Sequence, residues 1–448
     1  MYDEVCSYTV RFLICASIVF ISKYSSSDFN EERDFTEEPT ESILEMEISM
    51  FFFKKKKIEP KKSLGLYIHI PFCVKKCNYC DFLSAPADDA TKSRYVEALC
   101  KEITGYKELT KEYQLATIYF GGGTPSVLEV SLIEQILNTV KKSFAVDMAA
   151  AEVTLEVNPG TASLDKLKRY RELGINRLSI GVQSAKEKEL ALLGRIHTFE
   201  EAKQTYFWAR EAGFENISLD LMSALPGQSL EDYKENVEAI LSLHPEHISS
   251  YSLIIEEGTP FYGQYAEGAP KEGDLPEEEV DRAMYAYTKE RLVQAGYERY
   301  EISNYAKPGY ESRHNSSYWV GTEYIGVGLG ASSLFTNARY HNETNLLTYI
   351  EEAEDGQDVR REIERLVLEE QMEEFMILGL RMMKGVSRQE FQKRFGKAIE
   401  TVYGSALSKL EKQGLITREG DRIALTEIGI DVSNQVFVEF VPEEFVRR

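Results

Sequence analysis

Cysteine is scarce in this sequence, and so is positive charge. The 448 residues contain six cysteines, of which three lie close together, so there is no disulfide framework of the kind that stabilises small secreted proteins. Lys and Arg number 52 against 74 Asp and Glu, a formal net charge of −22. Nucleic acid is therefore excluded as a main partner, because phosphate binding needs concentrated positive charge. We expect small-molecule ligands and, from the few thiols, a cytoplasmic protein.

Long apolar runs are also lacking. Residues 12–21 form an apolar stretch of ten, too short for a membrane-spanning helix of about 20 residues, and Asp3 and Glu4 stand where a signal peptide would be positive. Acidic residues dominate 28–47, which predicts a disordered N-terminal extension over 1–62, with the native start close to Met50. A peripheral membrane contact of this extension stays open, and so does a homodimer.

From residue 64 onward, short β-branched or aromatic runs alternate with longer amphipathic stretches. This alternation predicts βα units around a parallel sheet, here a partial (β/α)6 barrel of the TIM type. Gly174, Gly213 and Gly296 each follow a helical pattern and are expected to end it. The predicted strands are 66–70, 117–120, 153–157, 177–182, 217–222 and 248–253, and the predicted helices are 92–109, 132–144, 164–173, 199–212, 230–243 and 277–295.

The unusual residues of the barrel fall at the predicted strand ends. The cysteines follow the first strand, GGGTP (121–125) follows the second, EVNPG (156–160) ends the third, Gln183 ends the fourth, and Asp220 lies in the fifth. Because the carboxyl ends of parallel barrel strands share one face, we expect these distant motifs to line one pocket.

The C-terminal third has a different pattern. Residues 300–345 are rich in Tyr, Asn, Ser and Gly, which predicts loops and turns, and they contain HNSSYW at 314–319. From 366 onward, three helical patterns and a short hairpin predict a winged-helix-like α+β domain. Residues 384–422 hold nine Lys or Arg against five Asp or Glu, which does not favour DNA binding in so acidic a chain. The predicted divisions are the extension 1–62, the barrel 63–297, a connecting segment 298–365, and the C-terminal domain 366–448.

Cys73, Cys77 and Cys80 have the spacing CxxxCxxC. Thiolates are soft ligands that select zinc, copper(I) or iron–sulfur clusters. A structural zinc site would need a fourth ligand, and the nearby His69 is equally consistent with packing. A [4Fe-4S] cluster normally takes four thiolates, so three leave one iron open to another ligand. Zinc and an iron–sulfur cluster both stay open at this point.

The CxxxCxxC motif, with Tyr79 directly before Cys80 and a strand before the motif, resembles that of the radical S-adenosylmethionine (SAM) superfamily. The resemblance implies that the three cysteines hold a [4Fe-4S] cluster, that SAM chelates the fourth iron, and that an electron from the cluster cleaves SAM to a 5′-deoxyadenosyl radical. A reductant such as flavodoxin or ferredoxin is then expected. Gly121 to Gly123 resemble the methionine-binding loop of that superfamily, whose amides and carbonyls can hold an ammonium and a carboxylate.

A closer resemblance covers most of the chain. YIHIPFC, IYFGGGTPS, LEVNPGT, RLSIGVQS, LGRIHT and LDLMSALPGQ are similar to motifs of the oxygen-independent coproporphyrinogen III oxidase group. The resemblance implies SAM contacts at the matching positions. Together with Tyr79 beside the cluster, these are Tyr67, Gly122, Gly123, Thr124, Glu156, Gln183, Arg195 and Asp220.

One departure from that group bears on function. Its oxidases have a further cysteine two residues after the third, where this chain has Phe82 after Asp81. This absence and HNSSYW resemble the branch whose members are haem chaperones, which implies a protein that binds cluster, SAM and haem and delivers haem to haemoproteins, with His314 as the haem ligand. The alternatives are a coproporphyrinogen III oxidase, a radical enzyme with another substrate, and a zinc-binding interaction protein. Whether the chain is an enzyme, and through which catalytic residue, stays open.

Overall fold

The computed structural model describes residues 61–441. The predictions for the N-terminal extension concern residues 1–60 almost entirely, and those lie outside this range. Within 61–441 no helix is both long and apolar enough to cross a bilayer.

Six parallel strands form a partial barrel in chain order, as predicted. Each strand is followed by helices on the outside of the sheet, and the fold-class prediction is confirmed. The strands are β1 Lys62–Ile70, β2 Tyr113–Gly122, β3 Glu152–Val157, β4 Arg177–Gln183, β5 Ile217–Ser223 and β6 His247–Ser252. The helices are α1 Asp89–Gly105, α2 Val130–Ser143, α3 Leu164–Leu173, α4 Glu187–Leu193, α5 Phe199–Glu211, α6 Leu230–Leu241, α7 Tyr262–Tyr265 and α8 Glu278–Gln294. The short helices α4 and α7 were not predicted.

Local capping explains where these helices begin and end. The Ser163 hydroxyl accepts a hydrogen bond from the amide of Lys166 at the start of α3, while Thr198 and Ser229 begin α5 and α6 with capping boxes. Such caps satisfy amides that have no partner within the helix. Gly174 ends α3 at φ 100°, a left-handed conformation that glycine adopts without strain.

The two faces of the barrel strands differ in polarity. The outward residues, such as Ile68, Ile118 and Leu219, are fully buried against the helices in one apolar core. The inward side chains of β4, from Arg177 through Ser179 to Gln183, are polar and line the barrel interior. A parallel sheet covered by helices normally has apolar strands, so this polarity marks the barrel interior as a binding cavity.

The segment between barrel and C-terminal domain extends the sheet at both edges. β9 pairs with β1 in parallel and β8 pairs with β6 in antiparallel orientation. The prediction of loops and turns for 300–345 is therefore wrong for much of this segment. The elements are β7 Glu298–Arg299, β8 Asn304–Ala306, α9 Arg313–Trp319, β9 Tyr324–Val327, β10 Ser332–Phe335, β11 Ala338–Asn342, α10 Leu346–Glu354 and β12 Arg360–Arg365.

The physical reason is that these strands are short and depend on neighbours distant in sequence. Strands of three to five residues gain their order from pairing with the open barrel edges rather than from local propensity. Gly326 shows how a glycine in this segment can be mistaken for a turn residue. A Cβ at this position would meet the Ser332 carbonyl oxygen at 2.2 Å. Glycine at this position permits close strand packing and does not mark a turn.

The C-terminal domain has its own apolar core, formed by residues such as Met376, Phe391 and Leu407. Its first three helices and a three-stranded sheet in the order β13-β15-β14 confirm the winged-helix-like prediction. The elements are α11 Leu368–Gly379, β13 Val386–Ser387, α12 Arg388–Phe395, α13 Ile399–Lys412, β14 Ile416–Glu419, β15 Arg422–Leu425, α14 Glu427–Asp431 and α15 Ser433–Val438.

Candidate functional site

A cavity of about 620 Å³ occupies the barrel interior and opens towards the carboxyl ends of the strands. This volume is within the range of small-molecule sites, about 300–1,000 Å³. Every residue that the sequence singled out as a ligand or cofactor contact lines this cavity. They are Tyr67, Cys73, Cys77, Tyr79, Cys80, Gly122, Gly123, Thr124, Glu156, Gln183, Arg195, Asp220 and His314.

The cysteine loop is anchored to the barrel by backbone and amide contacts. The Cys73 amide donates to the Ala85 carbonyl over 3.2 Å. Asn78 donates from its backbone amide to Leu193 over 2.9 Å and from Nδ2 to the Leu192 carbonyl over 2.9 Å. The C-terminal end of the short helix α4, at Leu192 and Leu193, thus supports the cysteine loop. The sequence did not predict this helix.

Hydrogen-bond donors face two of the three sulfurs. The Thr124 hydroxyl donates to Cys73 Sγ over 3.4 Å and Arg195 Nη1 donates to Cys77 Sγ over 3.5 Å. Donors of this kind stabilise thiolates, the form that binds metal. Burial raises the pKa of the Cys80 thiol to about 12, so metal binding there must release a proton.

The arrangement fits a cluster of several irons better than a single ion. Three thiolates on one zinc, at about 2.3 Å each, would bring the sulfurs within roughly 4 Å of one another. In residues 61–441 no three Cys, His, Asp or Glu side chains are gathered closely enough to hold one ion. The three half-buried thiols nevertheless share one cavity wall.

The glycine loop packs against the backbone that leads to the cysteines. Gly122 has φ 107°, and a Cβ there would lie 2.4 Å from the His69 ring; a Cβ on Gly123 would lie 2.8 Å from the Phe72 carbonyl oxygen. The amides of Gly123 and Thr124 donate to the carbonyls of Ile70 and Phe72 over 2.9 and 2.8 Å. Glycine is required here by close approach as well as by backbone conformation.

This packing changes what the loop can offer a ligand. The Gly122 amide donates to Glu156 Oε2 over 3.2 Å, so all three consecutive amides of Gly122, Gly123 and Thr124 are engaged within the protein. These three amides are therefore not free to hold a carboxylate. The loop carbonyls can accept from an ammonium, while a carboxylate must find donors elsewhere.

His69 acts as a packing residue beneath the glycine loop. Its Nε2 is 2.9 Å from the Leu83 carbonyl and its Nδ1 is 3.0 Å from the Tyr67 hydroxyl. Burial lowers the pKa of His69 to about 4, so the ring is neutral. With both nitrogens engaged, His69 has no free position for a metal ion.

Two partly buried carboxylates face the cavity. Glu156 accepts from the Tyr119 hydroxyl over 2.8 Å, and Asp220 accepts from Ser179 over 3.2 Å. Burial raises the pKa of both, and that of Glu156 to about 7. Each carboxylate can accept hydrogen bonds from ligand hydroxyls when ionised.

Gln183 and Arg195 converge at the end of β4. Gln183 has φ 69° beside a register shift in the β4–β5 pairing, a strained backbone of the kind that clusters at functional sites. Arg195 Nη2 donates to Asn158 Oδ1 over 2.8 Å and to the Gly181 carbonyl over 2.7 Å, and its Nε is buried without a partner. Tyr79 lies beside this guanidinium. The Arg195 Nε is thus a donor available to a ligand.

His314 lies inside the barrel, at 1% exposure. HNSSYW forms most of helix α9, and the amides of Arg313 and His314 both donate to Glu152 over 2.9 Å. The imidazole is 2.8 Å from Thr117 Oγ1 through Nδ1 and 2.7 Å from the Tyr318 hydroxyl through Nε2, and it stacks on Tyr119. Burial, and secondarily the Arg177 charge, lower its pKa to about 3. The ring is therefore neutral and hydrogen-bonded on both sides.

Several residues of the cavity were not predicted from the sequence. Arg177 and Arg381 are buried arginines that line it, and Asn158, within the quoted EVNPG, positions Arg195. The sequence contained a signal that could have identified Arg177. It begins a predicted buried strand in which every second residue is polar or glycine, whereas buried parallel strands are normally apolar throughout. Arg381 had none, because its place in the cavity depends on how the C-terminal domain packs.

Known protein families match both parts of this chain. The radical SAM superfamily matches residues 67–240, and the HemN C-terminal domain matches residues 366–432. The chain is 37% identical over 377 residues to the heme chaperone HemW of Bacillus subtilis, covering 84% of this chain and 99% of that protein. The Escherichia coli heme chaperone HemW is 34% identical over 391 residues, covering 85% and 98%.

A mitochondrial relative and a solved structure are also similar. Radical S-adenosyl methionine domain-containing protein 1 of Danio rerio is 36% identical over 360 residues, covering 78% of this chain and 80% of that protein. The structure of Escherichia coli coproporphyrinogen III oxidase (HemN), a radical SAM enzyme, superposes with a TM-score of 0.75 at 24% identity, covering 85% of this chain and 90% of that one. The second similarity shows the shared fold.

Proposed function

This chain belongs to the HemW family of the radical SAM superfamily, and from that premise we propose that it is a haem chaperone, which binds haem and delivers it to haemoproteins. The observation that carries the proposal is the identity of 34–37% over almost the full length of two proteins named heme chaperone HemW. Phe82, in the position where the oxidases have a fourth cysteine, supports the chaperone over the coproporphyrinogen III oxidase.

The cavity residues divide by the group that each would hold. Cys73, Cys77 and Cys80 would hold a [4Fe-4S] cluster, with Thr124 and Arg195 donating to two of the sulfurs. When bound, the cluster supplies an electron to SAM. The chain's part is to hold the three thiolates in place at the open end of the cavity.

The SAM contacts that we propose surround the cysteine loop. The carbonyls of the glycine loop can accept from the ammonium of SAM, and the unpartnered Nε of Arg195 can donate to its carboxylate. Glu156 and Asp220 can accept from hydroxyl groups. The remaining contacts proposed for the cofactor are Tyr67, Tyr79, Gly122, Gly123, Thr124 and Gln183.

We propose His314 as the haem ligand, and the structure sets a condition on it. Imidazole must be neutral to bind iron, and burial keeps it so. A neutral ring accepts at one nitrogen only, and here hydroxyl groups face both nitrogens. Iron ligation at Nε2 therefore requires the Tyr318 hydroxyl to move away.

The location, the partners and the domain division of this protein are proposed from the same family resemblance. We propose a cytoplasmic location, a flavodoxin or ferredoxin as reductant, and haemoprotein recipients. The working division of the chain is a barrel over 63–297, a connecting segment over 298–365, and a C-terminal domain over 366–448.

The test compares haem binding with oxidase activity in the same preparation. The full chain is purified without oxygen, its cluster is reconstituted, and haem is titrated spectrophotometrically. We expect a stable haem complex, transfer of that haem to an apo-haemoprotein such as apomyoglobin, and no turnover of coproporphyrinogen III. Turnover without a stable haem complex would replace the chaperone by the oxidase, and stoichiometric zinc without cluster absorbance would replace both.

A further inference from the structure

Arg177 is a buried cation without a partner in the described chain. It is the first residue of β4, is 1% exposed, and faces the cavity. Its side chain forms no hydrogen bond or ion pair with any residue of 61–441, and its Nε is buried without a partner. Because a guanidinium stays charged at any physiological pH, leaving it unpaired in a protein interior is strongly destabilising.

The nearest carboxylates do not pair with the buried charge of Arg177. Glu156 and Asp220 are close enough for the Arg177 charge to offset part of the increase in pKa that burial causes in each. Within residues 61–441 neither forms an ion pair with it; Glu156 accepts from Tyr119 and Gly122, and Asp220 accepts from Ser179. Arg177 therefore keeps all its donors available to a ligand.

A second buried arginine faces the same cavity from the C-terminal domain. Arg381, just beyond α11, is 7% exposed and lies 4.4 Å from the centre of the Trp319 ring. Its closest carboxylate, Glu301, is 3.9 Å away, too far for a hydrogen bond, and already accepts from Asn304. The Arg381 Nε and the Trp319 Nε1 are both buried without a partner.

We propose that Arg177 and Arg381 form a carboxylate-binding subsite in the inner part of the cavity, which takes the propionate groups of the haem cargo. The naming of haem rests on the proposed function, whereas the anion subsite rests on two buried guanidinium groups that form no side-chain hydrogen bond within residues 61–441. Guanidinium and carboxylate form strong bidentate hydrogen bonds, and an aromatic ring such as Trp319 can border the macrocycle.

Depth separates this subsite from the proposed position of the SAM carboxylate. Arg177 begins β4 and Gln183 ends it, so six residues at about 3.3 Å each place their backbones roughly 20 Å apart. The SAM carboxylate, held near the cysteines at the open end, has Arg195 as a nearer donor. Arg177 and Arg381 are free for a second anionic ligand.

The experiment uses haem and haem dimethyl ester, whose two carboxylates are masked. The full chain with reconstituted cluster is titrated with each. We expect the wild-type protein to bind the ester at least tenfold more weakly than haem. Arg177→Gln and Arg381→Gln should each weaken haem binding tenfold to a hundredfold and leave ester binding unchanged, with Arg177→Lys intermediate, because a lysine keeps the charge without the bidentate geometry.

Arg94→Gln is the matched control, since Arg94 pairs with Glu354 on the surface and should not change haem affinity. Cluster absorbance, iron content and SAM affinity report on folding and on the open end of the cavity. If Arg177→Gln does not fold, the Arg381→Gln variant and the comparison of haem with its ester in the wild-type protein still test the carboxylate subsite.

Three outcomes would overturn the subsite: equal affinity of the wild-type protein for haem and its ester, unchanged haem affinity in both folded variants, or a loss confined to SAM binding. Failure of the proposed function looks different, since the wild-type protein would then bind neither haem nor the ester.

Discussion

The Nε2 atom of His314 lies 2.7 Å from the hydroxyl of Tyr318, one turn later in the same helix. The other ring nitrogen is 2.8 Å from Thr117 on β2. The proposed haem ligand is thus held in a closed, hydrogen-bonded state that must open before iron can bind. If iron binds at Nε2 as proposed, the hydroxyl of Tyr318 is the group that has to move.

Tyr318→Phe should therefore tighten haem binding. Removing the hydroxyl frees Nε2, and a net hydrogen-bond contribution of about 0.5–1.5 kcal/mol corresponds to roughly two- to tenfold in affinity. Spectrophotometric haem titration measures the change. Thr117→Val is the matched variant for the other nitrogen; if it alone tightened binding, Nδ1 would be the ligating atom.

His314→Ala should weaken haem binding by at least tenfold and shift the haem absorbance bands, because the iron loses an axial ligand. Cluster absorbance and iron content should stay at wild-type values, since His314 makes no contact with the cysteine loop. Wild-type haem affinity in a folded His314→Ala variant would exclude His314 as the ligand.

Replacing Cys73, Cys77 or Cys80 by Ser should abolish the cluster in each single variant, because three thiolates are the smallest set that anchors it. Iron content and visible absorbance after anaerobic reconstitution measure this loss. Cys100→Ser is the control: Cys100 is a free cysteine in helix α1, outside the cavity, and its replacement should leave iron content unchanged. Retained iron in the Cys77→Ser variant would argue against the assigned ligand set.

Gly122→Ala should destabilise the protein by about 2 kcal/mol or more, because the new Cβ would meet His69 and the left-handed backbone disfavours any Cβ. Denaturant unfolding of the metal-free protein gives the free energy of unfolding. Gly105→Ala, at a position with open space around it, should be neutral or slightly stabilising. Equal stability of the two variants would contradict the packing described for the glycine loop.

Glu156→Gln should change how stability depends on pH. Burial raises the pKa of Glu156 to about 7 from a usual 4.5, so the wild-type protein holds a proton there that the unfolded chain releases. The stabilisation from this proton is complete below pH 4.5 and is lost as pH rises through 7. The Gln variant has no such proton. Its free energy of unfolding at pH 8 should therefore rise relative to that of the wild-type protein by up to about 3 kcal/mol.

Thermal unfolding of both metal-free proteins from pH 4 to pH 8 measures this difference. A difference in unfolding temperature that stayed constant across the range would show that the pKa of Glu156 is the same in the folded and unfolded states. Asp220→Asn provides a comparison at the second partly buried carboxylate, where the pKa is also raised by burial and the change should have the same sign.

The sequence was sufficient to place the candidate site. Glycine stops, capping residues and the alternation of strand and helix patterns define βα units locally. Parallel strands in such units put their carboxyl ends on one face, which is why Cys73, Gly122, Glu156 and Asp220 could be assigned to one cavity before any contact was known. The strands β9 to β11 escaped prediction because the pairing of β9 with β1, and of β10 and β11 with their neighbours, orders them rather than local propensity.

Tertiary structure decided the charges and hydrogen bonds inside the cavity. Local sequence does not show that His314 sits in a helix within the barrel, between Thr117 and Tyr318, or that Arg177 and Arg381 face one space from two domains. These facts depend on burial and on partners hundreds of residues apart. Burial makes an unpaired charge costly and an imidazole neutral, and burial is a property of the packed chain rather than of any segment.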